Sequence, residues 1–157
     1  VIIRREVVEK VGFLRDWMFM FGNEWEYSIR VKNAGYRIVF LENCVVRHRA
    51  SPKNRSYKFL RVYTTRNELA TVWMYFNDFK KYLILFRVLF WNLLQFRGEG
   101  YKSIFYVLFG FYKFLKLIPN LEKYYIRKEV LLEYEKNFWS FKAISPLIMK
   151  KLRNIWK

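Results

Sequence analysis

The residues that most constrain the fold are those of segment 19–51, FMFGNEWEYSIRVKNAGYRIVFLENCVVRHRAS. Its acidic residues Glu24 and Glu26 follow Asn23, a residue type favoured at helix N-caps. A helix that begins there is expected to end at Gly35, because glycine readily adopts the left-handed conformation that terminates helices. The spacing therefore predicts a short helix with two carboxylates in its first turn, and with Glu26 placed to complete a capping box.

The residues that follow this helix are rich in strand-forming types. They predict a strand over 36–40 that is interrupted at 42–43 and resumes over 44–48. His48, the only histidine of the chain, ends this strand. Carboxylates at a helix start and an imidazole at a strand end can together form a small active site. We therefore predict an α/β fold for residues 1–76, followed by a mostly α-helical C-terminal region.

The second half of the chain has a different character. Two apolar runs, 82–96 and 103–115, predict a helical hairpin over 77–118. Each run is shorter than the ~20 residues that a membrane-spanning helix needs, and Lys and Arg flank both. This pattern is typical of helices that lie in a membrane interface, although two core helices of a soluble domain are the alternative. Residues 119–157 predict an amphipathic helix followed by a basic tail.

The charge balance restricts the partners of the chain. Its 157 residues include 30 Lys and Arg against 13 Asp and Glu, which gives a formal net charge of +17. Such an excess favours an anionic membrane surface or a polyanionic partner, although Lys enrichment in a hyperthermophile would also produce it. The single cysteine, Cys44, excludes an internal disulfide and indicates a small buried residue within the predicted strand.

The ordered motifs of the first half resemble the acceptor-side part of family 2 glycosyltransferases, which have the GT-A fold, and in particular the rhamnosyltransferases. The family pattern contains a glycine, Glu-Asp-x-Asp, an arginine, Ala-Gly-Tyr, a strand that ends in histidine, and a later Arg-Asn. The matching positions here are Gly22, Asn23, Glu24, Glu26, Arg30, Ala34, Gly35, Tyr36, His48, Arg66 and Asn67. Two departures matter most: Asn23 replaces the first acid, and Leu14 replaces the Asp that follows an upstream Gly-Gly-Phe in the family. The acids that remain, Glu24 and Glu26, are glutamates where the family has Asp.

The resemblance implies an inverting glycosyltransferase that moves a sugar from a nucleotide-diphosphate donor to a lipid-linked or polysaccharide acceptor. It implies that Glu24 is the catalytic base and that His48 is a ligand of a divalent metal, Mn²⁺ or Mg²⁺. An imidazole ligand suits Mn²⁺ better than Mg²⁺. The other site residues that we expect are Glu26, Arg30 and Trp25 on the acceptor side and Arg47, Arg49 and Arg66 at the donor diphosphate.

Several of these residues also have a purely structural interpretation. Glu24 can simply stabilise a helix N-terminus through the helix dipole. Glu26 lies four residues before Arg30, which is the favourable order for an ion pair along a helix. Trp25 can stack on a sugar or pack in a core, and arginines beside His48 can form a basic surface patch.

The resemblance begins in mid-fold. We therefore expect the chain to be the C-terminal part of a longer enzyme at the cytoplasmic face of the cell membrane, and to be inactive without the nucleotide-binding half. A basic nucleic-acid-binding protein is an alternative, but the chain lacks a recognised reader motif, and no nucleic-acid partner is expected. A non-catalytic, membrane-associated relative is another alternative. The departures at Asn23 and Leu14 favour it, whereas the presence of Glu24 and His48 argues against it.

Overall fold

The computed structural model describes residues 1–47, 56–94 and 100–139. Within these ranges the chain forms α1 (Arg5–Val11), α2 (Asn23–Asn33), α3 (Tyr57–Tyr75), α4 (Lys80–Leu94), α5 (Lys102–Leu117) and α6 (Lys128–Trp139). Two short 3₁₀ turns, Asp16–Met18 and Ile118–Asn120, complete the regular structure. The described part is all-helical and contains no strand, so the predicted α/β fold is wrong.

The error lies in residues 36–47, where the sequence predicts a strand. This part of the chain is irregular, and its apolar side chains are exposed, with Phe40 at 85% and Val46 at 84%. Cys44 is exposed as well. A strand exists only where a second strand pairs with its backbone N–H and C=O groups, and none of the described segments does so. The β-forming composition therefore reflects a local preference that the surrounding structure does not satisfy.

The helix that the sequence predicts from Asn23 is α2, and it packs against α1. α1 and α2 share a small apolar core of Val7, Tyr27 and Val31. The N-cap of α2 is Gly22 rather than Asn23, and its φ of 79° is in the left-handed region that glycine tolerates best. Glu26 does not complete a capping box, since its carboxylate is buried and bonded elsewhere.

Helix α3 is the central element of the second half. Both α4 and α5 pack against it, and they also touch each other. Its buried apolar side chains are Val62, Leu69, Ala70, Val72, Met74 and Tyr75. Helices α4 and α5 lie within the stretch 77–118 for which the sequence predicts a hairpin, and residues 95–99 between them lie outside the described residues. Contacts between Cα atoms divide the chain into two compact units, 1–125 and 126–157, and α6 belongs to the second.

The packing of α5 on α3 depends on Gly110. A Cβ at this position would lie 2.6 Å from the carbonyl oxygen of Val62 and 2.9 Å from the Cβ of Thr65. Neither atom can move without shifting α3. We expect Gly110→Ala to lower the free energy of unfolding by about 1–3 kcal/mol, as overpacked core substitutions do, in urea denaturation followed by circular dichroism. In an open helix the same substitution would stabilise the protein by up to about 1 kcal/mol.

A matched control for this prediction is Tyr112→Ala, on the exposed side of the same helix. Surface substitutions of this kind change stability by about 0.5 kcal/mol or less. A Gly110→Ala protein as stable as the parent would mean that α3 and α5 do not approach this closely.

Candidate functional site

The loop that leads into α2 has a strained backbone. Phe19 has a φ of 55° and Phe21 a φ of 64°, although neither residue is glycine. Positive φ values are uncommon for bulky residues and cost about 1–3 kcal/mol each. Such strain persists only where surrounding contacts impose it, and it concentrates at functional sites. The loop 17–22 is therefore the first feature of the fold to consider as part of a site.

Asn67 on α3 supplies the contacts that hold this loop. Its side-chain Nδ2 donates hydrogen bonds to the carbonyl oxygens of Met18 at 2.8 Å, Met20 at 2.9 Å and Phe21 at 2.7 Å. Asn67 is completely buried. One amide group on α3 thus has three loop carbonyl oxygens within hydrogen-bond distance, and these contacts restrain the backbone around Phe19 and Phe21.

Arg66 reinforces the same contact. Its Nη2 donates to the carbonyl oxygens of Trp17 at 2.7 Å and Met18 at 3.2 Å, and its Nε donates to the Oδ1 of Asn67 at 2.9 Å. The guanidinium lies 4.6 Å from the ring centroid of Tyr63. Burial lowers the pKa of Arg66, although Tyr63 opposes this effect. Arg66, which the resemblance places at the donor diphosphate, is engaged with the loop in this structure.

The loop passes close to Asn67 at Gly22, where it enters α2. A Cβ at Gly22 would lie 3.4 Å from the Cβ of Asn67 and 4.0 Å from the Cγ of Glu68. The backbone N–H of Glu24 then donates to the Oδ1 of Asn23 at 3.1 Å. The close approach and the positive φ both favour glycine at position 22. The start of α2 is thereby placed against the middle of α3.

Glu24 is exposed in the first turn of α2. Among the residues that the structure describes, no hydrogen bond or ion pair involves its carboxylate. The N-terminus of a helix interacts favourably with a nearby negative charge, so the position suits a carboxylate. It is thus available to accept a proton from an incoming hydroxyl group.

Glu26, two residues further on, is in the opposite situation, because positions two apart on a helix face different directions. It is completely buried. Its Oε1 accepts hydrogen bonds from the Nε of Arg15 at 2.8 Å, the Nε of Arg30 at 2.9 Å and the hydroxyl of Tyr75 at 2.6 Å. Three parts of the fold therefore meet at one carboxylate: the loop after α1, α2 itself and α3.

Burial and the charge of Glu26 change the pKa values of Arg15 and Tyr75. Burial alone would lower the pKa of Arg15, but its hydrogen bonds to Glu26 and Tyr75 and the charge of Glu26 raise it above its ordinary value. Burial and the Glu26 charge raise the pKa of the Tyr75 hydroxyl. Both pKa shifts are those expected for groups that are hydrogen-bonded to a buried, charged carboxylate. Glu26 thus has a structural position, and its carboxylate is not open to a ligand.

Arg30 extends this network towards α1. Its Nη1 donates to the carbonyl oxygen of Val11 at 2.7 Å and its Nη2 to that of Phe13 at 2.8 Å. These carbonyls lie at the C-terminal end of α1 and just beyond it, where helices leave acceptors unsatisfied. Arg30 therefore links α1 to α2 and to the buried Glu26.

The remaining expected site residues are Trp25, Arg47, His48 and Arg49. Trp25 is half-buried on α2, and its carbonyl oxygen accepts the Ser28 hydroxyl at 2.7 Å. Arg47 is exposed. His48 and Arg49 lie outside the described residues, so the expected proximity of Glu24 and His48 stays a prediction. Within the described ranges, no group of three or more His, Cys, Asp or Glu side chains is placed to hold a metal.

A further buried polar pair lies beside the loop, and sequence reasoning did not identify it. The Nδ2 of Asn92 on α4 donates to the Oε2 of Glu68 at 2.7 Å, and Arg61 donates to the Asn92 carbonyl oxygen. Burial raises the pKa of Glu68, while the Asn92 hydrogen bond and the charge of Arg61 oppose the rise. Sequence reasoning likewise did not identify Arg15 and Tyr75 as partners of Glu26. Their partner Glu26 is distant in sequence from Tyr75, and no spacing rule connects them.

The Asn67 contact leads to a stability prediction. Asn67→Asp keeps the shape of the side chain but places an acceptor-only carboxylate against three carbonyl oxygens. We expect it to lower the free energy of unfolding by about 1–3 kcal/mol or more, the cost of leaving buried polar groups unsatisfied. Urea denaturation measures this change, with the exposed Asn120→Asp as the matched control. Equal stability of the two variants would show that Asn67 does not hold the loop.

Comparison of the sequence with models of known protein families finds no match, and comparisons with curated proteins and with solved structures find none either.

Proposed function

We propose that residues 1–76 are the acceptor-side part of a family 2-like glycosyltransferase. The enzyme would move a sugar from a nucleotide-diphosphate donor to a hydroxyl group of a lipid-linked or polysaccharide acceptor, with inversion. The observation that carries the proposal is the contrast between the two carboxylates of α2. Glu24 is exposed at the helix N-terminus, and no described residue bonds its carboxylate, whereas Glu26 is buried and accepts three hydrogen bonds.

In this proposal Glu24 acts as the general base. Its carboxylate accepts the proton of the acceptor hydroxyl while that oxygen forms a bond to the anomeric carbon of the sugar. The bond from that carbon to the diphosphate oxygen breaks, and the nucleoside diphosphate leaves with the electron pair. A general base has to be held within hydrogen-bond reach of the proton that it removes.

The strained loop supports this role because it fixes where α2 begins. Asn67 and Arg66 restrain the loop carbonyls, and Gly22 connects them directly to the turn that carries Glu24. Catalytic groups on such rigid elements keep their geometry better than groups on free loops. Phe19 is 67% exposed in the same loop and offers an aromatic surface there.

The resemblance also implies that a divalent metal assists the transfer. The described residues by themselves do not form a set of ligands for a divalent ion. No step of the proposed reaction is therefore assigned to a metal, and His48 stays a predicted ligand.

The proposal is tested with a polypeptide that also carries a donor-binding half, supplied with UDP-, GDP- and dTDP-sugars and Mn²⁺ or Mg²⁺. Release of nucleoside diphosphate is measured with and without a lipid-diphosphate-linked glycan acceptor. We expect release that depends on the acceptor with one class of donor, and none from the 157-residue chain alone. Absence of release with every donor would contradict the proposal.

A further inference from the structure

Helix α4 exposes an apolar stripe on the side that faces away from α3. Its buried residues are Ile84, Val88 and Asn92. The exposed residues recur at the three- and four-residue spacing of one helix face: Tyr82, Leu83, Phe86, Phe90 and Leu94. The rings of Phe86 and Phe90 stack with centroids 6.1 Å apart. Exposed apolar residues are ordinary when scattered, but a continuous stripe indicates an interaction surface.

Helix α5 repeats this arrangement. Ser103, Val107, Gly110 and Phe114 are buried. The opposite side carries a second exposed stripe: Phe105, Leu108, Phe109, Tyr112 and Leu115. Both helices pack on α3 and touch each other, so the two stripes lie side by side on the surface away from α3. We call these two stripes together the aromatic face.

The charged side chains that α4 and α5 contribute to the aromatic face have one sign only. α4 and α5 contain no Asp or Glu, and their basic residues are Lys80, Lys81, Arg87, Lys102, Lys113 and Lys116. Lysines border the exposed rings directly, since the Nζ of Lys116 lies 4.8 Å from the Tyr112 centroid and that of Lys113 lies 5.3 Å from the Phe109 centroid. The surface therefore complements an apolar layer bordered by negative charge.

The described parts of α4 and α5 have 15 and 16 residues, fewer than the ~20 that a membrane-spanning helix needs. Within the described ranges, no helix combines the length and apolar character that a membrane span requires. α4 also carries Arg87 near its middle, and an arginine at bilayer depth costs a few kcal/mol. Lying in the plane of the interface avoids this cost, because long basic side chains can extend to the headgroups.

We propose that the aromatic face docks α4 and α5 in the interfacial layer of an anionic lipid bilayer. The rings and leucines enter the boundary between headgroups and acyl chains, and the lysines contact lipid phosphates. A second copy of the chain is a poorer occupant, because it would set two surfaces that carry only positive charge against each other. This inference does not depend on the transferase proposal, since its readout is binding.

Flotation of the purified chain with vesicles tests the proposal. We expect the chain to float with phosphatidylcholine vesicles that contain about a third phosphatidylglycerol, and to float much less with phosphatidylcholine alone, because each basic residue near an anionic surface adds to binding. Raising the salt to about 1 M, where the Debye length is near 3 Å, should weaken binding without abolishing it. The apolar contribution remains under those conditions.

Substitutions in the aromatic face test whether it is the surface that binds the vesicles. Phe86→Asp combined with Phe109→Asp places charge in both stripes, and we expect the bound fraction at limiting lipid to fall by about tenfold or more, because two aromatic side chains no longer enter the apolar layer. Lys113→Glu combined with Lys116→Glu should weaken the preference for anionic vesicles, although the four other basic residues of α4 and α5 remain. Phe13→Asp is the matched control, because Phe13 is 82% exposed in the loop before α2. Far-UV circular dichroism checks that each variant is folded.

Several outcomes would overturn the proposal. One is absence of flotation with either vesicle, and another is equal flotation of the Phe86/Phe109 variant and the parent. A concentration-dependent dimer that Phe86→Asp dissociates, without vesicle binding by the parent, would identify a second copy as the occupant. A salt-sensitive shift with single-stranded RNA and none with vesicles would identify a nucleic acid.

Discussion

Replacing Glu26 with alanine is expected to lower the free energy of unfolding by about 3–5 kcal/mol, the cost of removing one partner from a buried ion pair. Glu26 is completely buried and accepts hydrogen bonds from Arg15, Arg30 and Tyr75. Without it, two guanidinium groups face each other with no carboxylate between them. Urea denaturation followed by far-UV circular dichroism measures the loss.

The matched control is Glu24→Ala, which removes the same side chain two residues earlier in the same helical turn. Because Glu24 is exposed, we expect a change of about 0.5 kcal/mol or less. The loss of unfolding free energy for Glu26→Gln should lie between those for Glu24→Ala and Glu26→Ala. The amide oxygen of Gln still accepts hydrogen bonds but carries no charge. Equal losses for Glu24→Ala and Glu26→Ala would contradict the buried network.

Replacing Glu24 with glutamine should have the largest effect on activity. In an enzyme that carries the donor-binding half, we expect the rate of sugar transfer to fall by about 10²–10⁴-fold, as is typical when a general base is removed. An amide cannot accept the acceptor's proton, whereas donor binding does not require that proton to move. Initial rates of nucleoside diphosphate release measure the first effect, and calorimetric titration with the donor measures the second.

Glu42→Gln provides the control for this experiment, because Glu42 is also exposed and lies in the turn at 42–43, outside α2. It should leave both the rate and donor binding unchanged. Turnover at the parental rate in Glu24→Gln would remove Glu24 as the base. Together with the Glu26 series, the experiment separates the two carboxylates, since one substitution should affect activity and the other stability.

Local sequence rules were sufficient for the helices. The helix expected to start at Asn23 spans Asn23–Asn33. The apolar run from residue 82 forms α4, and the run from residue 103 forms α5. Helical hydrogen bonds join residues four positions apart, so capping residues and apolar periodicity nearby in the chain carry most of the information. The period of 3.6 residues per helical turn also explains why Glu24 and Glu26 point in different directions.

Tertiary structure decided the rest, because it depends on residues far apart in the chain. The sequence could not show that Glu26 would be buried against Tyr75, or that Asn67 would bind the carbonyls of Met18 and Phe21, because these contacts span more than forty residues. It also predicted a strand over 36–40, which no described segment pairs. A strand, unlike a helix, takes its hydrogen bonds from another part of the chain, so β-forming composition alone cannot determine that one forms.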